Sequence, residues 1–83
     1  MASETIEATL IALLRARGPG KTLDPQVVAR AIGGPHPDGW SPLMPAVRRA
    51  AVRLMKEGRV EIVRKGRAVD PDDFRGTYRI RMP

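Results

Sequence analysis

Arg17 to Thr22, RGPGKT, has the look of a phosphate-binding loop. Such a loop needs a glycine, four residues, then Gly-Lys-Ser/Thr, so that its amides wrap the phosphates and its hydroxyl holds magnesium. Counting back from Gly20 puts Arg15 where the first glycine belongs. The flanks disagree as well, because a phosphate loop leaves a strand, whereas the residues before Gly18 read as helix. Nucleotide binding is therefore not expected, and GKT needs a structural explanation. His36 is the one histidine, and the chain has no cysteine, so neither a triad nor a zinc site can be assembled. The acids in Asp70-Pro71-Asp72-Asp73 lack the alternating ligand spacing of a calcium loop. Asp70-Pro71 reads better as the cap of a short turn. No catalytic residue, cofactor or metal is expected.

What remains is positive charge. The chain has 15 Lys and Arg against 9 Asp and Glu, a net charge of +6 and a pI near 11.1. Residues 1–40 hold four bases and four acids, so all the excess lies in residues 41–83. Such asymmetry favours an anionic partner. Twelve of the fifteen bases are arginine, a bias that host base composition also produces, so placement matters more than total. At 83 residues the chain is one domain, 1–83, too small for a deep catalytic cleft. With no long apolar run or leader, a soluble cytoplasmic protein with no membrane partner is expected.

The elements that must carry these charges are legible in turn. Ser3 is a candidate helix cap, with Glu4 and Glu7 in the first turn. Ile6, Leu10, Leu13 and Leu14 then recur at helical spacing. Gly18-Pro19-Gly20 ends that helix, and Lys21-Thr22-Leu23 is a short extended connector. Asp24-Pro25 starts a second helix over 25–32, with Val27, Val28, Ala31 and Ile32 as its apolar face. Gly33-Gly34 closes it, and 35–39 reads as a turn-rich loop. A third helix is expected over 42–57, although Pro45 could also mark its first turn. Met44, Val47, Ala51 and Leu54 share one face of it, flanked by Ala50 and Met55. Arg49, Val52, Arg53 and Lys56 share the opposite face, with Arg48 at its edge. Residues 59–65 alternate as a strand with Val60 and Ile62 inward. Residues 77–82 alternate too, with Tyr78, Ile80 and Met82 inward and Arg79 and Arg81 outward. The intervening GRAVDPDDFRG is too long for a tight hairpin turn and reads as a wing-like loop.

This order, α-β-α-α-β-wing-β, is the plan of an α+β winged helix-turn-helix, with three helices against a small antiparallel sheet. On it, GPGKT is a helix stop and an edge strand. The sequence also resembles short bacterial proteins of a conserved domain of unknown function. The matching stretches are RGPGKT (17–22), P-x-x-VAR-x-IGG (25–34) and Trp40 followed by LMPAVRRAA (43–51). L-x-x-EGR-V (54–60), KGR-x-VDP (65–71) and G-x-YRIR (76–81) complete them. The resemblance implies a winged-helix fold, and it implies no activity and no functional residues.

Helix three would be the element that enters a major groove. Arg48, Arg49, Arg53 and Lys56 are its candidate DNA contacts, reading guanine or phosphate, with Arg64, Lys65 and Arg67 gripping phosphate from the base of the wing. The same helix face would equally serve as an ordinary solvated surface. No Asn or Gln lies there to read adenine, so affinity is better supported than specificity. Trp40 either stacks on a nucleotide or plugs the core beneath the third helix. The expected function is double-stranded DNA binding, as a transcription regulator or nucleoid-type accessory. The alternative is an adaptor for an acidic protein, or a homodimer, on the same scaffold. RNA binding is less supported, because one Trp, one Tyr and one Phe leave little to stack bases. An acid interrupting the basic surface would count against DNA.

Overall fold

The computed structural model describes residues 3–83, with the side chain of Ser3, and hence its capping role, outside the described residues. The chain forms helix α1 (Ser3–Arg17), strand β1 (Thr22–Leu23) and helix α2 (Pro25–Gly33). A single helical turn α3 (Pro37–Trp40) and a 3-10 turn (Ser41–Leu43) lead into helix α4 (Met44–Lys56). Strands β2 (Glu61–Arg64), β3 (Arg67–Ala68) and β4 (Arg79–Arg81) follow. The architecture is α+β, with principal helices α1, α2 and α4 against one antiparallel sheet ordered β1-β4-β2-β3. Among the described residues, no helix is long and apolar enough to cross a membrane.

The core follows from the apolar faces. Ile6, Leu10, Ile11 and Leu14 of α1 meet Val47, Ala50, Ala51 and Leu54 of α4, and Leu23, Ile62 and Ile80 roof them from the sheet. Burying each large aliphatic side chain stabilises the fold by roughly 1.5–3 kcal/mol. Gly18, at φ 91°, stops α1, and its amide donates to Leu14 O at 3.2 Å. Thr22 and Leu23 then pair with Arg81 and Ile80. GKT is thus the run into an edge strand, which accounts for the motif without a nucleotide.

Asp24 caps α2, its Oδ1 accepting from Gln26 N at 2.9 Å, with Pro25 at the first helical position. The buried face of α2 differs from the expected stripe. Pro25, Val28 and Ala29 are buried, Ile32 is half-buried, and Val27 and Ala31 are exposed. In a nine-residue helix two adjacent stripes fit the apolar residues, and the small Ala29 is the one that allows close approach.

Three boundaries are corrected. The segment 35–39 is not simply a loop, because Pro37 starts a helical turn capped by His36, whose Nδ1 accepts from Asp38 N at 3.2 Å. Helix 42–57 begins as a helix only at Met44. Pro45 has no N–H to bond back to Ser41, and Met44 N closes the shorter bond to Ser41 O instead. The stretch 66–76 begins with a tight hairpin: Arg64 pairs with Arg67 across a two-residue turn, Lys65 (φ 52°) and Gly66 (φ 80°). Asp70 then makes a turn of its own, with Oδ1 accepting from Asp72 N at 2.9 Å, as the capping reading expected. Phe74, 7% exposed, plugs that segment into the core.

Between α2 and α4 the chain doubles back at two glycines. A Cβ built on either Gly33 or Gly39 would collide with the other's carbonyl oxygen. The crossing of α2 and α3 therefore depends on bare backbone at both positions.

Candidate nucleic-acid interface

Helix α4 turns Arg49 and Lys56 away from the core, as its 100° periodicity dictates, while Val52, expected on that outward face, is half-buried and packs against the core. Together with Arg48 and Arg53 they line a shallow depression of about 360 Å³. Three of the four bases there are engaged. Arg53 Nη1 lies 3.0 Å from Glu7 Oε1 of α1. Lys56 Nζ lies 2.6 Å from Asp72 Oδ1 of the 70–74 segment. Arg48 donates from Nη2 to Phe74 O at 2.7 Å, and its guanidinium lies 3.8 Å from the centre of the Phe74 ring. Arg48 thereby clamps the 70–74 segment to α4. Among the described residues, Arg49 alone of the four has no side-chain partner. Acids from both flanks, Glu7 and Asp72, thus interrupt the basic face.

The hairpin end is different. Arg64 Nε donates to Thr77 O at 2.8 Å, and Arg79 Nε donates to Thr22 Oγ1 at 2.6 Å. Lys65, Arg67 and Arg75 are exposed. None of these five cations has a carboxylate within 4 Å among the described residues, whereas Arg81 pairs with Glu61 at 2.8 Å. The eleven bases of residues 41–83 therefore divide. Arg53, Lys56, Arg59 and Arg81 are neutralised by carboxylates, and Arg48 and Arg49 remain on α4. The other five uncompensated cations lie on the hairpin (Arg64, Lys65, Arg67), on the segment leading to β4 (Arg75) and at the start of β4 (Arg79).

The structure brings Arg64, Lys65 and Arg67 together on one hairpin, and Arg48, Arg49, Arg53 and Lys56 along one helix. Periodicity alone did not reveal that Glu7 would reach Arg53 from 46 positions away. Arg79 was legible as an outward strand residue, but its place beside the hairpin depends on β4 pairing with β2, Val63 opposite Arg79.

Among the described residues, Trp40 Nε1 and Tyr78 Oη are buried without a hydrogen-bond partner. Trp40 packs against the core, with the Arg30 guanidinium 5.1 Å from its ring, which fits its reading as a plug. Tyr78 stands edge-on to Phe74, centroids 5.4 Å apart. Burial pushes its phenol up to about 12, Arg48 works in the opposite sense, and Asp24 adds to the rise.

No curated protein matches the chain. A family model described as "Protein of unknown function (DUF3253)" matches residues 3–83, nearly the whole length and the same span that carries the RGPGKT, VAR and YRIR stretches. The chain belongs to that family.

Proposed function

We propose that the chain is a winged helix-turn-helix domain that binds double-stranded DNA through the phosphate backbone, with the β2–β3 hairpin as its principal grip. The observation that carries this reading is where uncompensated charge lies: Arg64, Lys65, Arg67, Arg75 and Arg79 gather at one end with no carboxylate within ion-pair distance among the described residues. Cations not paired with a carboxylate can neutralise phosphates and release counterions from DNA, and that release supplies most of nonspecific affinity. The helical order supports the scaffold, since α2 precedes α4 in the chain and the two helices pack against each other. The connection between them, residues 34–43, exceeds the three or four residues usual in that motif and includes an extra helical turn. Glu7 and Asp72 also meet two of the α4 cations. Both features weigh against deep insertion of α4 into a groove, and the interrupting acids count against DNA at that face, so Arg49 is assigned only a flanking phosphate. A backbone grip of this kind fits a nucleoid-type accessory better than a reader of one site.

Fluorescence anisotropy with a random duplex across a salt series tests the reading. Lys65→Ala with Arg67→Ala should flatten the log–log slope by about 0.9 for each phosphate that the variant leaves unneutralised. Arg53→Ala should change it little. Absence of binding at low salt refutes the proposal. One observation favours a second reading, an adaptor for an acidic protein. The paired charges of α4 leave Pro45 and Val52 among them as a mixed surface, and that reading gains ground if no duplex binds.

A further inference from the structure

A cavity of about 760 Å³ opens between the hairpin turn, residues 76–79 and the first residues of α2 and α4. Its volume lies within the roughly 300–1,000 Å³ range of small-molecule sites. Arg64, Lys65 and Arg79 line it as uncompensated cations, and Pro25, Met44 and Val63 supply an apolar wall. The one carboxylate on its lining, Asp24, is committed to capping α2 through Gln26 N. Both guanidinium groups are held from behind. Arg64 spends Nε on Thr77 O and Arg79 spends Nε on Thr22 Oγ1, while their terminal nitrogens take no partner among the described residues. Side chains already fixed lose less entropy when they bind. A guanidinium presenting its fork matches phosphate or carboxylate. Gly76 keeps this arrangement open, since a Cβ there would lie 3.0 Å from Arg64 Nη2.

We propose that this cavity binds a small organic anion, a phosphate monoester carried on an apolar body. Three uncompensated cations against one committed acid favour a dianion over a monocarboxylate. The apolar wall distinguishes the site from a bare phosphate cradle, and Tyr78, also on the lining, adds an aromatic edge. Such a site goes beyond DNA binding and does not depend on it. Because Arg64, Lys65 and Arg79 serve both readings, the ligand would compete with a duplex for the hairpin.

The test is calorimetric and NMR titration of the full chain with phenyl phosphate, without DNA, beside inorganic phosphate and benzoate. Expected is saturable one-site binding, tightest for phenyl phosphate, with amide shifts at Thr22, Gly66, Gly76, Thr77 and Arg79. Arg64→Gln and Arg79→Gln should each weaken it by about tenfold or more, the usual weight of a charge-assisted hydrogen bond. Lys65→Ala, at an exposed turn, should weaken it severalfold and keeps the test decisive if either arginine variant fails to fold. Arg15→Gln, at the end of α1, should change nothing. Equal weakening by Arg15→Gln, or shifts spread over Arg15 and Arg17, would overturn the site in favour of general ion binding. Inorganic phosphate binding as tightly as phenyl phosphate would overturn the apolar-body assignment. Failure here leaves the backbone grip standing, and a duplex that does not bind leaves this site standing.

Discussion

Replacing Asp72 with asparagine removes the carboxylate that holds Lys56 at 2.6 Å, and leaves the Asp72 amide free to keep its bond to Asp70. The two side chains are 51% and 69% exposed, so solvent screens the pair and its contribution to stability is about 0–1 kcal/mol. For a domain this size about 0.5 kcal/mol is a fall of roughly 2–4 °C in Tm. DNA affinity should move the other way. A duplex approaching α4 must break the pair and face the acid, and Asp72→Asn removes both obstacles. Recovering about 0.5–1 kcal/mol is a two- to fivefold tighter complex, by the usual conversion of about 1.4 kcal/mol per tenfold. If Lys56 then neutralises one more phosphate, the salt slope steepens by about 0.9. Anisotropy at several salt concentrations measures both quantities, with thermal unfolding run on the same samples. Placed on a Lys56→Met background, Asp72→Asn should gain less, because no cation is released. A folded Asp72→Asn protein with unchanged affinity and unchanged slope would refute the reasoning and place α4 away from the duplex.

Phe74→Ala should cost about 3–5 kcal/mol, because the ring is 7% exposed and anchors both Arg48 and Tyr78. Urea denaturation checks this, Phe74→Leu should be much milder, and a cost under about 1 kcal/mol would mean the segment is not part of the core. Gly33→Ala forces two backbone segments apart and should destabilise by about 1–3 kcal/mol, whereas Gly34→Ala meets no neighbouring atom and suffers only from its φ of 86°. Tyr78 gives a pH dependence of defined sign. Its folded value near 12 exceeds the ordinary 10.0, so the fold favours the neutral phenol. That contribution is complete below pH 10 and is lost as pH rises towards 12. Tyr78→Phe should therefore fall less steeply than wild type in denaturation curves taken between about pH 9 and 11.5. At about pH 7 it should be at least as stable, since the hydroxyl it deletes has no partner among the described residues. Parallel curves for the two proteins would refute the assignment.

Local chemistry made much of this fold readable. Asp24-Pro25 announces α2 and caps it as the residue types require. The division of α4 between Val47, Ala51 and Leu54 and its row of bases survives, with Val52 the exception that packs on the core, because a thirteen-residue helix samples its periodicity more than three times. The segment 66–76 was not readable for the opposite reason. Its two-residue strand is too short to alternate, and its turn places Lys65, not Gly or Asn, at a positive φ. Phe74 stands among charges and glycines, so nothing nearby marks it as a core residue. The candidate site divides the same way. Which cations lie outward follows from periodicity, whereas which of them are neutralised depends on Glu7 and Asp72, brought in by tertiary packing.

The strand order has a consequence for how the chain assembles. β4, the last described strand, lies between β1 and β2, and β1 has no other neighbour among the described residues. During synthesis the helices can form and collapse as they emerge, but Thr22 and Leu23 wait unpaired until residues 80 and 81 arrive. Closing that loop spans most of the described chain, a long-range pairing of the kind that slows folding. Until then the nascent chain exposes an incomplete sheet whose open edges can pair with other chains.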